Sequence, residues 1–339
     1  MSVGSADSSI GSDRGDWHGR PCLVTGGAGF GGSHLSAELL ARGAKVHVLD
    51  RVLPRNSYLV LAGVSERVEF IHGDVRDLEL LRLTIERCQI DTIFHLAAQP
   101  LVVLSNVLPL ETLSVNAVGT FRVLEAMRTS RVAKALVFAS SGAHYGLNTR
   151  DRPIAEDEAP GPAGNLYGAS KTAAEVAVRA YADVYGLNAV ACRFMNTYGP
   201  GDSNTSRLVP RAVRNLLSDL PYEFGERDDG TTRLDFLHIR DMTQAYLSAA
   251  EHVESVRGEA FNFGTGKATN VADLARQVSR IFDGRERQPV FHGSRRETPI
   301  VKCLDIAKAE RLLGWRPTID LDEGLAETLA WYRRFKVAP

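Results

Sequence analysis

TGGAGFGGSHL (25–35) packs five glycines between an apolar run, CLVT (22–25), and an amphipathic one, SHLSAELLARG (33–43). The glycines fit G-x-G-x-x-G as Gly27, Gly29 and Gly32, and G-x-x-G-x-x-G as Gly26, Gly29 and Gly32. With a strand before and a helix after, such a turn brings bare backbone against a pyrophosphate and seats it on the helix N-terminus. The next apolar run, KVHVLD (45–50), ends in Asp50. A carboxylate there accepts the ribose hydroxyls of an adenosine, which favours NAD because a 2′-phosphate would be repelled. Arg51 beside it leaves NADP open. Asp74, in HGDV, stands where it reaches an adenine ring or caps a helix.

The pattern continues outward from this unit. VEFIHGD (68–74), DTIFHLA (91–97), KALVFAS (134–140) and NAVACRF (188–194) read as strands, nearly continuous in apolar residues as in a parallel sheet buried on both faces. LSVNAVGTFRVLEAMR (113–128) and GASKTAAEVAVRAYADVYG (168–186) have helical spacing, and Gly43 and Gly186 stand at C-cap positions. The order predicts an α/β fold: a Rossmann-like doubly wound parallel sheet with a smaller mixed α/β C-terminal substrate lobe. Residues 1–18, rich in Ser, Gly and Asp, read as a flexible tail. Residues 19–195, with about 234–252 returning to them, form the nucleotide-binding domain. Residues 196–233 and 253–339 form the lobe, with helices at 212–219, 271–282, 306–315 and 322–335.

The composition of the 339 residues, 44% apolar and 24% charged, is that of a soluble globular protein. A formal net charge of −1 gives no electrostatic case for nucleic acid or for a membrane surface. Cys22, Cys88, Cys192 and Cys303 are scattered without a C-x-x-C pair, which favours reduced thiols in a cytoplasmic protein over a disulfide framework or a zinc site. No metal is expected. No apolar run approaches membrane-spanning length.

Tyr167 and Lys171, in YGASK, lie one helical turn apart and share a face. A tyrosine is a poor base at neutral pH unless its anion is stabilised, and a nearby ammonium does that. With these residues in place, the chain resembles the NAD-dependent epimerase/dehydratase family of extended short-chain dehydrogenases/reductases. The resemblance rests on TGGAGFGG (25–32), FHLAAQP (94–100), Asn116 in VNAVGT, SSGAHYG (140–146), YGASK (167–171) and RFMNTYGPGD (193–202). It implies Tyr167 as the base, Lys171 on the nicotinamide ribose and Ser141 on the reacting hydroxyl, with Ser140 a structural hydroxyl. It implies an NAD site made by Gly26, Gly29, Phe30, Gly32, Asp50, Arg51, Asp74, Val75, Leu96, Ala97, Ala98, Gln99 and Asn116, with Tyr167 and Lys171. It also implies a nucleotide-sugar substrate and a homodimer formed by the segments near 106–128 and 168–186, through Leu113, Val118, Phe121, Ala177 and Ala180.

Family members that dehydrate their sugar at C4 and C6 carry an acid pair just after the Ser/Thr. Here Gly142 and Ala143 hold those positions, and neither transfers a proton. The resemblance therefore favours epimerisation at C4 through a 4-keto sugar. AAQPLV (97–102) and YGPGDSNTSRLVP (198–210) look more like dehydratases of CDP- or GDP-hexoses, so a 4,6-dehydratase or ketoreductase is the alternative. A non-catalytic NAD-binding regulator is a third, opposed by the intact Ser141, Tyr167 and Lys171. The substrate site is expected to include Ser141, Gly142 and His144, which is either an acid or a hydrogen-bonded pocket residue. Asn196 resembles the family asparagine on the diphosphate, and Arg295 or Arg296 the arginine that pairs with it. A second family arginine falls at Leu234 here, with Arg233 one residue early, so that either the strand is locally shifted and Arg233 reaches the diphosphate or its side chain faces away. Arg207 either approaches the nucleotide or is solvated.

Overall fold

Six of the β-branched runs become the strands β1 (Pro21–Thr25), β2 (Lys45–Asp50), β3 (Glu69–His72), β4 (Thr92–His95), β5 (Ala135–Ala139) and β6 (Ala189–Phe194). The structure, a computed structural model, describes residues 16–161, 164–224 and 228–335. A seventh strand, Ala260–Phe263, completes a parallel sheet in the order Ala260–Phe263, β6, β5, β4, β1, β2, β3. Every residue of β4 and β6 is buried, because helices cover both faces. On one face pack the Phe30–Ala41 and Ile239–Glu251 helices, through Leu35, Leu39, Ala245 and Ala249. On the other pack Leu78–Arg87, Gly119–Thr129 and Leu166–Tyr185, through Leu81, Val123, Leu124, Ala174 and Val178. The strand order reverses at β1, and in an open α/β sheet ligands bind outside the carboxyl ends of the strands at that point. The glycine turn, Asp50, Leu96–Gln99, Ser141 and Met195 all follow strand ends there.

A separate apolar cluster holds the smaller lobe together. Val209 and Val213 of the Leu208–Leu217 helix, Leu274 and Val278 of Val271–Asp283, and Leu325 and Leu329 of Leu321–Phe335 meet Phe224 and Phe236.

The structure corrects four boundaries. Residues 1–15 lie outside the described residues, but Trp17, assigned to the tail, is 2% exposed and donates from Nε1 to Glu251 at 2.8 Å. Its ring buries more apolar surface than any local pattern announces, packing on Phe94 at 5.9 Å. The strand Ala260–Phe263, placed in the lobe by its position beyond 252, pairs with β6 instead. The 306–315 helix likewise joins the first core, where Trp315 packs edge-on to Phe263 and donates to the Asp241 carbonyl at 3.2 Å. Finally, the single helix expected at 113–128 is divided: Pro109–Leu113 leads into a π-helical turn, Ser114–Val118, before Gly119–Thr129. The wider turn carries Asn116 inward. No helix among the described residues is long and apolar enough to cross a membrane.

Candidate active site

One cavity of about 900 Å³ runs along the carboxyl ends of the strands, from Gly26, Asp50 and Asp74 at one end to Ser141, Tyr167, Lys171 and Arg207 at the other. The glycine turn forms its floor for steric reasons. Gly26 has φ +68°, and a Cβ there would stand 2.6 Å from the Ala97 nitrogen. A Cβ on Gly32 would stand 2.3 Å from the Gly26 carbonyl oxygen. Gly29 is the N-cap of the Phe30–Ala41 helix and brings no capping side chain, so first-turn N–H groups remain available to an anion.

At this end Asp50 accepts hydrogen bonds from the N–H groups of Ala28 (3.1 Å) and Arg51 (2.8 Å). Burial pushes its carboxyl up and those N–H groups draw it back. Arg51 reaches towards Asp74 and Glu111, at 3.7 and 3.6 Å. Asp74 is held by Arg76 through Nε (3.0 Å) and Nη2 (2.7 Å), which keeps its carboxyl below the ordinary range. The following helix is capped by Asp77, not Asp74. Phe30, Val75, Leu96, Ala97, Ala98 and Gln99 complete this wall.

Asn116 is a correction. It is buried off the cavity wall, accepting from the Gln99 N–H at 2.7 Å and donating to the Gln99 carbonyl at 3.1 Å and to Ser170 at 2.9 Å. The π-helical turn aims its amide at this loop, so Asn116 shapes the wall that Gln99 presents.

At the far end, the Leu166–Tyr185 helix starts at Asn165, whose side chain accepts from the Gly168 N–H at 2.8 Å. Tyr167 lies in its first turn. Burial pushes the Tyr167 hydroxyl up, while a hydrogen bond with Ser141 and the charge of Arg207 draw it down. Lys171 is buried and donates to the Ala139 carbonyl at 2.7 Å, with its ammonium 4.9 Å from the Phe138 ring centroid. Burial brings this ammonium down to about 7. Ser141 in turn caps a short 3-10 turn, Gly142–Tyr145, by accepting from the Ala143 N–H at 3.1 Å.

Beneath that turn lies a polar network. Ser140 donates to Glu175, which Arg193 grips through Nε (3.1 Å) and Nη2. Arg193 also donates to the Tyr145 hydroxyl, which donates to Asn262 at 2.7 Å. A buried, fully bonded network of this kind holds one loop conformation.

Two loop residues assigned to the substrate do not reach the cavity wall. His144 is buried behind it, 3.2 Å from Thr172 Oγ1, and burial with the Arg193 charge lowers its pKa. Gly142 is covered, since a Cβ there would stand 2.4 Å from Met195 Cγ.

On the substrate side Arg207 lines the cavity and pairs with Asp202 at 3.2 Å. Asn196 lies off the wall, between Met195 and Thr197 which line it, and donates to the Asp235 carbonyl at 3.2 Å. Arg233 is bound to Asp151 at 2.7 Å, while Leu234 packs on the lobe core; strand alternation sends the two apart. Arg295 is exposed, and the Arg296 N–H donates to Asp229 at 2.8 Å. Arg233, Arg295 and Arg296 are therefore not brought to this cavity.

Met195, Glu111, Met242 and Tyr246 line the cavity without having been anticipated. The last two come from the Ile239–Glu251 helix, whose return to the sheet was legible but whose inward residues had no local signature.

The model of the NAD dependent epimerase/dehydratase family matches residues 22–264. The chain belongs to that family. A UDP-glucose 4-epimerase of Mycolicibacterium smegmatis is 34% identical over 317 residues, covering 92% of this chain and 98% of that one. A UDP-glucose 4-epimerase of Thermotoga maritima, solved with UDP-glucose, matches with a TM-score of 0.84 at 30% identity, covering 94% of this chain and 100% of that one. A dTDP-glucose 4,6-dehydratase of Streptomyces venezuelae, solved with NAD bound, matches with a TM-score of 0.82 at 29% identity, covering 93% and 97%. The protein is thus a nucleotide-sugar epimerase/dehydratase family enzyme with NAD as its cofactor, and the side-chain-free turn at Gly26 and Gly32 fits that group.

Proposed function

We propose that this enzyme interconverts the C4 epimers of a nucleotide-activated hexose. The observation that carries the reading is the distribution of acids in the cavity. Among the described lining residues the carboxylates are Asp50, Asp74 and Glu111, all at the adenosine end. Beside Ser141 the chain offers Gly142 and Ala143, and Met195 fills the space above Gly142. Elimination of a 6-hydroxyl asks for a base at C5 and an acid at O6, and that pair is lacking in this loop. The UDP-glucose 4-epimerase relatives support a UDP-hexose as the first substrate to try.

When bound, NAD supplies the reversible hydride acceptance that turns the C4 carbinol into a ketone and back. Gly26, Gly29 and Gly32 give its pyrophosphate room, Asp50 accepts from its adenosine ribose, and Lys171 holds its nicotinamide ribose. Ser141 positions the C4 hydroxyl and Tyr167 takes its proton, later returning it. A keto sugar that turns its other face before reduction gives the epimer, with no second acid. Arg207, at the same end of the cavity as Tyr167, approaches the substrate nucleotide. The described residues of 196–233 and most of 264–335 form the lobe that faces that nucleotide. Free Cys22, Cys88, Cys192 and Cys303 suit a cytoplasmic setting.

The test is incubation with UDP-, GDP-, CDP- and dTDP-hexoses, read by mass and by NMR. An unchanged mass with an altered C4 proton coupling is the expected result. Loss of the mass of one water would establish a dehydratase instead. Stoichiometric NAD with no turnover of any sugar nucleotide would point to the regulator.

We also infer a homodimer built on the Gly119–Thr129 and Leu166–Tyr185 helices. Phe121, Val176 and Val184 are exposed on them, and Val118 just before the first, with Val184 at 71%. An apolar face of this kind marks an interaction surface. Ala177 does not contribute, being turned into the sheet-covering core, and Leu113 is half-buried. A monomer by light scattering at micromolar concentration would rule the dimer out.

A further inference from the structure

Away from the cofactor cleft, three ligand-bearing side chains converge at the sheet edge. His47 of β2 and Glu69 of β3 are register partners in a parallel pair, so their side chains stand on the same face. Cys88, at the C-cap of the Leu78–Arg87 helix, comes down beside them. One donor atom from each of the three lies within 4.8 Å of the others. His47 Nδ1 is 3.0 Å from Glu69 Oε2, and Cys88 Sγ is 4.0 Å from Glu69 Oε1. Yet His47 Nδ1, buried, makes no hydrogen bond. The 3.0 Å approach to Glu69 is an ion-pair contact that lies off the hydrogen-bond direction.

We propose that His47, Glu69 and Cys88 form a zinc-binding site that fastens β2 to β3. With Zn–N and Zn–O near 2.0–2.2 Å and Zn–S near 2.3 Å, a tetrahedral ion sets its ligand atoms about 3.3 Å (N to O) and about 3.6 Å (S to O) apart. The observed N–O separation (3.0 Å, to Oε2) and S–O separation (4.0 Å, to Oε1) each lie within a few tenths of an ångström of these values, and a turn of the Glu69 carboxylate would bring one oxygen towards both partners. The Glu69 side chain is 62% exposed, which leaves a water the fourth position.

The donor set chooses the ion. One imidazole, one thiolate and one carboxylate suit Zn²⁺, whereas Ca²⁺ and Mg²⁺ call for oxygen ligands. Lys45 and Arg87 are charged neighbours that oppose any dication, so binding depends on the ligands and not on a negative field. A neutral imidazole has a lone pair to give such an ion. A thiol releases its proton on binding the ion, so binding tightens as pH rises. The scatter of cysteines along the chain argued against a zinc motif; the ligands come instead from three separate elements. Asp50 ends the same strand as His47, so the site braces the edge of the sheet behind the adenosine end.

The test uses the full chain without an affinity tag, first freed of metal with a chelator. Added Co²⁺ is expected to give a thiolate-to-cobalt charge-transfer band at one ion per chain, displaced by Zn²⁺. Saturating Zn²⁺ is expected to raise Tm by about 2 °C or more. Cys22, Cys192 and Cys303 are buried, which assigns the band to Cys88. Cys88→Ser should abolish the band, and Cys88→Ser and His47→Gln should each lose most of the zinc-dependent shift, while retained NAD shows that they fold. No band in the unmodified protein, a band surviving in Cys88→Ser, or an equal Tm shift in the variants would each overturn the site.

Discussion

The ammonium of Lys171 donates to the backbone carbonyl of Ala139 at 2.7 Å, in a position where burial brings it down to about 7. One turn earlier, burial pushes the Tyr167 hydroxyl up, and Ser141 and the charge of Arg207 only partly offset it. The expected tyrosine–lysine face is present, but the carbonyl at the end of β5 holds the lysine, and the lobe supplies a second cation.

This burial has a sign in the pH dependence of stability. An unfolded lysine titrates near ~10.4, so between about 7 and that value the unfolded chain binds the extra proton and stability rises with pH. The cost of the buried charge is fully present below about 7. In the cofactor-free protein, denaturant titrations at about pH 7 and about pH 9.5 should show a larger gain for the unmodified chain than for Lys171→Met. Parallel profiles would mean that Lys171 keeps an ordinary pKa.

Tyr167→Phe should retain NAD and substrate while turnover falls by roughly 10²–10⁴-fold, the scale of a lost general base. Ser141→Ala should be milder, since it positions the hydroxyl without keeping its proton. His144→Ala should leave turnover largely intact, because its ring faces Thr172. An inactive His144→Ala beside an active Tyr167→Phe would reverse the assignment of the base.

Replacing Asp50 by Ser removes the carboxylate expected at the 2′ position. NAD binding should weaken and discrimination against NADP should relax, as measured by calorimetric titration of both cofactors. An unchanged preference would move the source of selectivity to Arg51 and its partners Asp74 and Glu111.

Gly142→Ala places a Cβ where Met195 Cγ lies, 2.4 Å away, and should cost about 1–3 kcal/mol as an overpacked contact. Met195→Ala opens that space, so the double variant should be destabilised by clearly less than the sum of the two single changes, with a coupling of about 0.5 kcal/mol or more. Additive losses in denaturant unfolding would show that the two residues do not compete for the space.

Much of this enzyme follows from neighbours along the chain. Glycines at 26, 29 and 32, an acid at the end of the second strand, and a tyrosine and lysine one turn apart are local patterns, because backbone sterics and helical periodicity act over a few residues. The sheet strands are legible for the same reason: two-sided burial demands continuous apolar runs. What those residues touch is another matter. Asn116 turns from the cofactor to the Gln99 backbone because a π-helical turn, set by packing, shifts its direction. His144 faces Thr172, Arg233 faces Asp151, and Met195 caps Gly142 because segments distant in sequence arrive there. The strand at 260–263 and Trp17 join the first core for want of another place to bury their apolar surface. Local sterics chose the turn and the helix face; only the assembled packing decided which groups meet in the cleft.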